Sequence, residues 1–294
     1  MLRRYSINSI LKMTLFIFVL FLFTLYPKNN KYKVKTIKTS SNNYHDIFLV
    51  DKNNYLSKTT IEVSSIETEA LAKDLLTSLI VDSNNKNKIP NNFKAIIPKG
   101  TKIQKVSVNN KYITISFDKN ILKTNSKDKM IEAIVYTLTS INDIKYVHIL
   151  VDNEDNEFFL PEYSRDIGIN KKYDIDSLND INKVTIYYVS NNGDSNYYIP
   201  VTKFYNSNKD KIKVIIDELS STSSYESNLM SFLNYDTKLV NYEIIGDDIK
   251  LFFNDKIKED NKLLEEVIYS ISYSIKDTIS VSKIHFYVNN KEIL

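Results

Sequence analysis

The chain carries one apolar pattern twice, and this repetition constrains the fold more than any other feature. Residues 97–152 return as residues 233–289. At an offset of 136, Ile103, Val106, Val108, Ile113, Ile115 and Phe117 fall on Leu239, Tyr242, Ile244, Ile249, Leu251 and Phe253. One inserted residue raises the offset to 137, and Ile134, Tyr136, Val147, His148 and Ile149 then fall on Ile271, Tyr273, Ile284, His285 and Phe286. A pattern kept through two strands, a helix and a further strand marks a repeated structural unit, since each recurring apolar position must be buried again. A length of 294 residues accommodates two such units at roughly 100 to 200 residues each.

In the first copy, 47–50 and 60–63 are β-prone and separated by DKNNYLSK, which predicts a hairpin. Leu71, Leu75, Leu76 and Leu79 have helical spacing, with Ser64 or Ser65 available as the N-terminal cap. A Pro98-Lys99-Gly100 turn precedes strands at 102–108 and 111–117, joined by Asn109-Asn110. Met130, Ile131, Ile134, Val135, Leu138 and Ile141 predict a second helix, and Val147, Ile149 and Val151 one face of a closing strand.

The second copy follows the same order. Strands at 184–189 and 197–201 precede a helix at 209–220, strands at 239–245 and 248–253, a helix lined by Ile271 and Ile275, and a strand at 284–288. The order β-β-α-β-β-α-β gives an α+β class: two tandem small domains, each a mixed sheet with two helices on one face. Between the copies, 153–180 is polar and irregular. Phe158, Phe159, Leu160, Tyr163, Ile167 and Ile169 predict that its first half packs on the first domain.

Residues 10–26 are apolar apart from Lys12, Thr14, Thr24 and Tyr26, and Arg3 and Arg4 precede them. Seventeen helical residues reach roughly 26 Å, enough for a hydrocarbon core of about 30 Å when the ends adapt. The small-residue cleavage pattern of a signal peptide is missing before Pro27, which favours an uncleaved anchor. The short basic tail places the N-terminus inside and the domains outside the cytoplasmic membrane. Eight of the 39 basic residues and no acids lie in 1–40, so the remainder holds 31 basic against 36 acidic residues. A mildly acidic globular part gives no footprint for nucleic acid.

The search for chemistry yields little. With no cysteine, disulfides, thiolate metal sites, cysteine nucleophiles and a lipid-modified cysteine are excluded. His148 and His285 occupy equivalent positions on the two closing strands and point away from the apolar face, but neither has a second His or a Cys nearby, so a structural role is expected. His45, at the end of the polar tether, is read as incidental. Asp152, Glu154, Asp155 and Glu157 lack the spacing and glycine of a calcium loop. Asp118 and Asp128 would make an acid/base pair, yet the second copy has Asn254 at the position of Asp118. No catalytic, cofactor-binding or metal-ligating residue is assigned. Tyr187, Tyr188, Tyr197, Tyr198, Tyr205, Tyr225, Tyr235 and Tyr242 crowd the second copy and could serve an interface, although an AT-rich codon bias with the β-propensity of tyrosine is the favoured account.

The sequences IPKGTKI, YTLTSI, VHILVD and LPEYSRDIGIN in the first copy resemble the GerMN domain of GerM-type sporulation and spore germination proteins. The likeness is strong over 46–170 and weaker over 183–292, where LNYDTKL and YSISYSI stand in for the first two motifs and the LP-to-RDIGIN tail is absent. The resemblance implies a fold like that of ring-building modules, a place outside the cytoplasmic membrane, and action through protein contacts without known chemistry. Many relatives are lipoproteins; this chain, without cysteine, would rely on its apolar segment.

The expected layout is a cytoplasmic tail (1–9), a transmembrane anchor (10–26), a tether (27–45), a first domain (46–172), a linker (173–182) and a second, divergent domain (183–294). The expected function is non-enzymatic, cofactor-free envelope assembly. Its partners would be the membrane, other envelope or sporulation proteins, and peptidoglycan as a further candidate. Binding of a cell-wall fragment or germinant in a cleft between the modules is the alternative, and a peptidoglycan hydrolase a third reading.

Overall fold

A computed structural model of the chain describes residues 44–191, 193, 196–221 and 229–294. The expected tail, the anchor at 10–26 and most of the tether lie outside these residues, as does Tyr225. Among the described residues no helix is long and apolar enough to cross a membrane.

In the first copy β1 (Tyr44–Val50) and β2 (Leu56–Glu62) form an antiparallel hairpin. Its turn is closed by Asp51, whose Oδ1 accepts the Asn53 and Tyr55 N–H groups at 2.9 and 2.8 Å. Helix α1 (Thr68–Leu79) buries the expected leucines 71, 75, 76 and 79. Its N-cap is Glu67 without a side-chain bond, and Ser65 instead donates to Asp74 Oδ2 at 2.6 Å. The serine cap read from the sequence is therefore wrong: the helix is capped two residues later, at Glu67, and the Ser65 hydroxyl reaches an acid about two turns into the helix.

Strands β3 (Ile103–Asn109) and β4 (Tyr112–Phe117) pair antiparallel, and β5 (Tyr146–Val151) joins β4 in parallel after crossing over through helix α2 (Lys127–Leu138). A short β6 (Lys172–Asp174) follows. The second copy supplies β7 (Ile181–Asn191), β8 (Asn196–Asn206), α3 (Lys211–Ser220), β9 (Leu239–Ile245), β10 (Asp248–Phe253), α4 (Glu265–Thr278), β11 (Lys283–Val288) and β12 (Lys291–Glu292). Registers match across the copies: Ile113 opposes Val147 as Ile249 opposes Ile284.

The strands do not form one sheet per copy. β3-β4-β5 and β9-β10-β11-β12 are separate mixed sheets, while both hairpins enter a third sheet in which β2 pairs with β8. An isolated hairpin leaves two unpaired edges, and pairing β2 with β8 removes one from each. Helix α2 lies against β1 on one side and β5 on the other, which is why every residue from Met130 to Leu138 is buried. A helix wrapped on opposite sides replaces the expected two helices on one sheet face. Two apolar cores result, one within 47–169 and one within 184–288. Phe93 packs against both. All the described residues fall in one compact unit, Thr39–Leu294.

Candidate interaction site

The residues singled out for chemistry have structural partners. His148 Nε2 lies 2.7 Å from Asp155 Oδ1, and His285 Nδ1 lies 2.7 Å from Glu292 Oε1. Each acid is seven residues beyond its histidine. In both copies the closing strand ends in two residues of positive φ, Asp152-Asn153 and Asn289-Asn290, and the returning chain carries the acid back over the histidine. The hydrogen bond from His285 holds the Glu292 carboxyl below its ordinary value. Asp118 Oδ1 accepts the Lys102 N–H at 3.0 Å, and Asn254 Oδ1 accepts the Lys238 N–H at 3.0 Å. The task needs an acceptor and no charge, so Asn replaces Asp freely. Asp128 sits in the first turn of α2, where a helix favours negative charge. Among the described residues no group of three or more His, Cys, Asp or Glu side chains could hold a metal ion. His45 belongs to β1, not to a tether.

A further polar contact recurs. Phe48 N–H donates to Thr137 Oγ1 at 3.1 Å, and Tyr187 N–H donates to Ser274 Oγ at 2.8 Å. Thr137 and Ser274 are equivalent residues on α2 and α4, and each satisfies a buried N–H of the strand it packs on. The hydroxyl following Tyr136 and Tyr273 is thus shared for its hydrogen bond, a signal hidden by the Thr-to-Ser difference.

The tail at 165–170 is the joint between the copies. Arg165 extends from the first copy to Asp277 on α4, and also donates to Thr139 Oγ1 and Ser140 Oγ, both at 2.9 Å. Its side chain is 30% exposed and that of Asp277 is 4% exposed. Burial opposes the guanidinium charge, but the adjacent Asp277 raises its pKa above the ordinary arginine value. Tyr187 also donates to Asp277, at 3.2 Å, and burial, then this carboxylate, push its hydroxyl well above the tyrosine range.

Where β2 and β8 pair only at Lys58 and Tyr198, Asn170 fills the seam. Its Nδ2 donates to the carbonyls of Leu56 and Pro200, both at 2.7 Å, and its Oδ1 accepts the Leu56 N–H at 3.0 Å. Tyr197 closes the far side by donating to Asp51 Oδ2 at 2.9 Å. The β6 segment, read as linker, lies parallel to β8, with Tyr173 stacked on Phe204 at 5.1 Å. Arg165, Asn170 and Asp277 were missed in the sequence because all of their partners are remote in the chain and some lie on the other copy.

The tyrosines divide. Tyr187, Tyr188, Tyr197 and Tyr205 are buried, and Tyr198 sits edge-on against the stacked rings of Tyr269 and Tyr273. Tyr235 is exposed. A pocket of about 540 Å³ borders the second copy between β6, β8 and α3. Its Lys203 is already paired with Asp174 at 2.8 Å and with Glu218.

The copies diverge on the outer face of their mixed sheets. In the first copy a bulge places Gln104 where its amide donates to Asp152 at 2.8 Å and accepts from Ser116 at 2.9 Å. In the second, the same bulge carries Val240, 69% exposed, and Phe252 and Tyr287 replace Ser116 and Leu150. Their half-buried rings stack at 4.9 Å. A self-satisfied polar network has become an apolar aromatic patch, the kind of surface that favours protein contact.

The family model described as Germane, sporulation and spore germination, matches residues 46–157 and 185–294. The chain is 29% identical over 278 residues to the spore germination protein GerM of Bacillus subtilis (strain 168), covering 88% of this chain and 75% of that protein. It is similar to the solved tandem GerMN domains of the sporulation protein GerM from Bacillus subtilis, with TM-score 0.78 and 27% identity, covering 85% of this chain and 92% of that one.

Proposed function

Because the chain belongs to the Germane family of sporulation and spore germination proteins, we propose that it acts as a non-enzymatic assembly protein on the outer side of the cytoplasmic membrane. The apolar segment 10–26 anchors it, and the two joined copies form one docking body for other envelope proteins. The observation that carries this reading is the divergence of the mixed-sheet faces. The recurring polar contacts serve the fold, whereas Phe252 and Tyr287 stand where the first copy has Ser116 and Leu150; the stacked pair of the first copy, Tyr112 with Tyr146, lies at the opposite end of its strands. Anchoring raises the concentration of this patch near membrane partners.

The test restores the first copy's residues, Phe252→Ser with Tyr287→Leu. Crosslinking pull-down from membranes of the native organism, at successive growth stages, should recover envelope proteins with the unsubstituted chain and lose them with the double variant. Equal recovery from both would remove the patch from the docking surface, and turnover of purified peptidoglycan by the chain would reject the non-enzymatic reading.

A further inference from the structure

Strand β9 differs from its counterpart β3 at the sheet edge. Both are terminal strands of their mixed sheets. β3 is guarded: α1 lies against it, Glu69 Oε1 takes the Val108 N–H at 3.0 Å, and it carries Lys105. Covering, capping, an edge lysine and a bulge are among the means by which proteins keep an edge from pairing, and β3 and β9 share the bulge.

β9 lacks the other three among the described residues. Helix α3 packs on β7 and α4, and reaches β9 through the 2.7 Å hydrogen bond from Tyr242 to Asp210 Oδ2. Ile244 is left 52% exposed and Ile245 56% exposed. The strand reads Leu-Val-Asn-Tyr-Glu-Ile-Ile, with Glu243 its single charge.

This pattern is the same in both directions about Tyr242: two aliphatic residues, a polar one, tyrosine, a polar one, two aliphatic residues. We propose that β9 pairs antiparallel with β9 of a second copy of this chain about a twofold axis at Tyr242. The two four-stranded sheets become one of eight strands. Tyr242 then faces the partner's Tyr242, and the bulge at Val240 ends the regular pairing beside the partner's Ile244. Asn241 faces the partner's Glu243, so no like charges are opposed across the axis. This inference rests on the strand edge and is independent of docking through the Phe252–Tyr287 face.

The chain contains no cysteine, so a single introduced one reports the axis. Directly opposed residues have Cα atoms about 4.5–5.5 Å apart, within the roughly 4.4–6.8 Å that a disulfide spans. The full chain in detergent carrying Tyr242→Cys should form a covalent dimer on oxidation. Val106→Cys, the equivalent position on β3, should remain monomeric. Ile244→Lys added to Tyr242→Cys should cut the covalent dimer at least tenfold. Light scattering of the chain without introduced cysteine should give twice its 34.2 kDa protein mass, and the mass of the Ile244→Lys chain should fall toward one copy, with its circular dichroism melt retained. Monomeric mass at about 100 μM would overturn the proposal. So would a dimer indifferent to Ile244→Lys, equal crosslinking through Val106→Cys, or Tyr242→Cys capturing a different protein in place of itself.

Discussion

Tyr197 and Asp51 show how a single residue contributes to joining the copies. The Tyr197 hydroxyl donates to Asp51 across the seam, while another oxygen of the same carboxylate closes the β1–β2 turn. Burial, then its hydrogen bond to Asp51, push the tyrosine pKa from 10.0 up to about 12, against the lowering effect of Ser190. A folded pKa raised above the unfolded one stabilises fully below about pH 10, and that contribution disappears as pH rises through about 12. Urea midpoints measured from pH 8 to about 11.5 should fall at the alkaline end, and Tyr197→Phe should flatten part of that fall. An unchanged slope in the variant would remove Tyr197 from the alkaline transition. None of this was legible in the sequence, where Tyr197 is one of a crowd of tyrosines.

At the scale of the element, α2 and α4 each combine an apolar stripe with one hydroxyl that takes a strand N–H. The stripe was readable, because Ile134 and Ile271 recur at matching positions. The hydroxyl was not, because Thr137 and Ser274 have ordinary neighbours in sequence and gain their role only against β1 and β7. Removing one partner of a buried hydrogen bond costs about 1–3 kcal/mol. Ser274→Ala and Thr137→Val should each lower unfolding free energy by that amount in urea titrations. A loss below about 0.5 kcal/mol at both sites would mean that the N–H groups find other acceptors. The same limitation explains the misplaced α1 cap: a serine near a helix start is a candidate by spacing, but Asp74 competes for Ser65.

For the whole molecule, the tail and seam decide whether two repeats behave as two bodies or one. Arg165–Asp277 and the Asn170 hydrogen bonds span the copies without belonging to either core. Breaking a buried ion pair is costly because it strands the other charge, though the partial exposure of Arg165 keeps the expected loss near the lower end, about 3 kcal/mol. The full chain should unfold in one urea transition. Asp277→Ala with Asn170→Ala should separate it into two, as read by far-UV circular dichroism and tyrosine fluorescence. A single transition in the double variant would show that β2–β8 pairing alone couples the copies.

The sequence by itself determined the repeat, the element order and the inward faces of the helices and strands. These are local matters: period 3.6 or period 2 fixes which residues of an element share a face. Tertiary structure decided that the hairpins leave their mixed sheets to join each other, that the RDIGIN tail is a joint, and that α1 covers β3 while, among the described residues, no helix covers β9. Those outcomes depend on which edge finds which partner across more than a hundred residues of chain, as Asn170 does with Leu56. Nothing in the spacing of either copy encodes that choice.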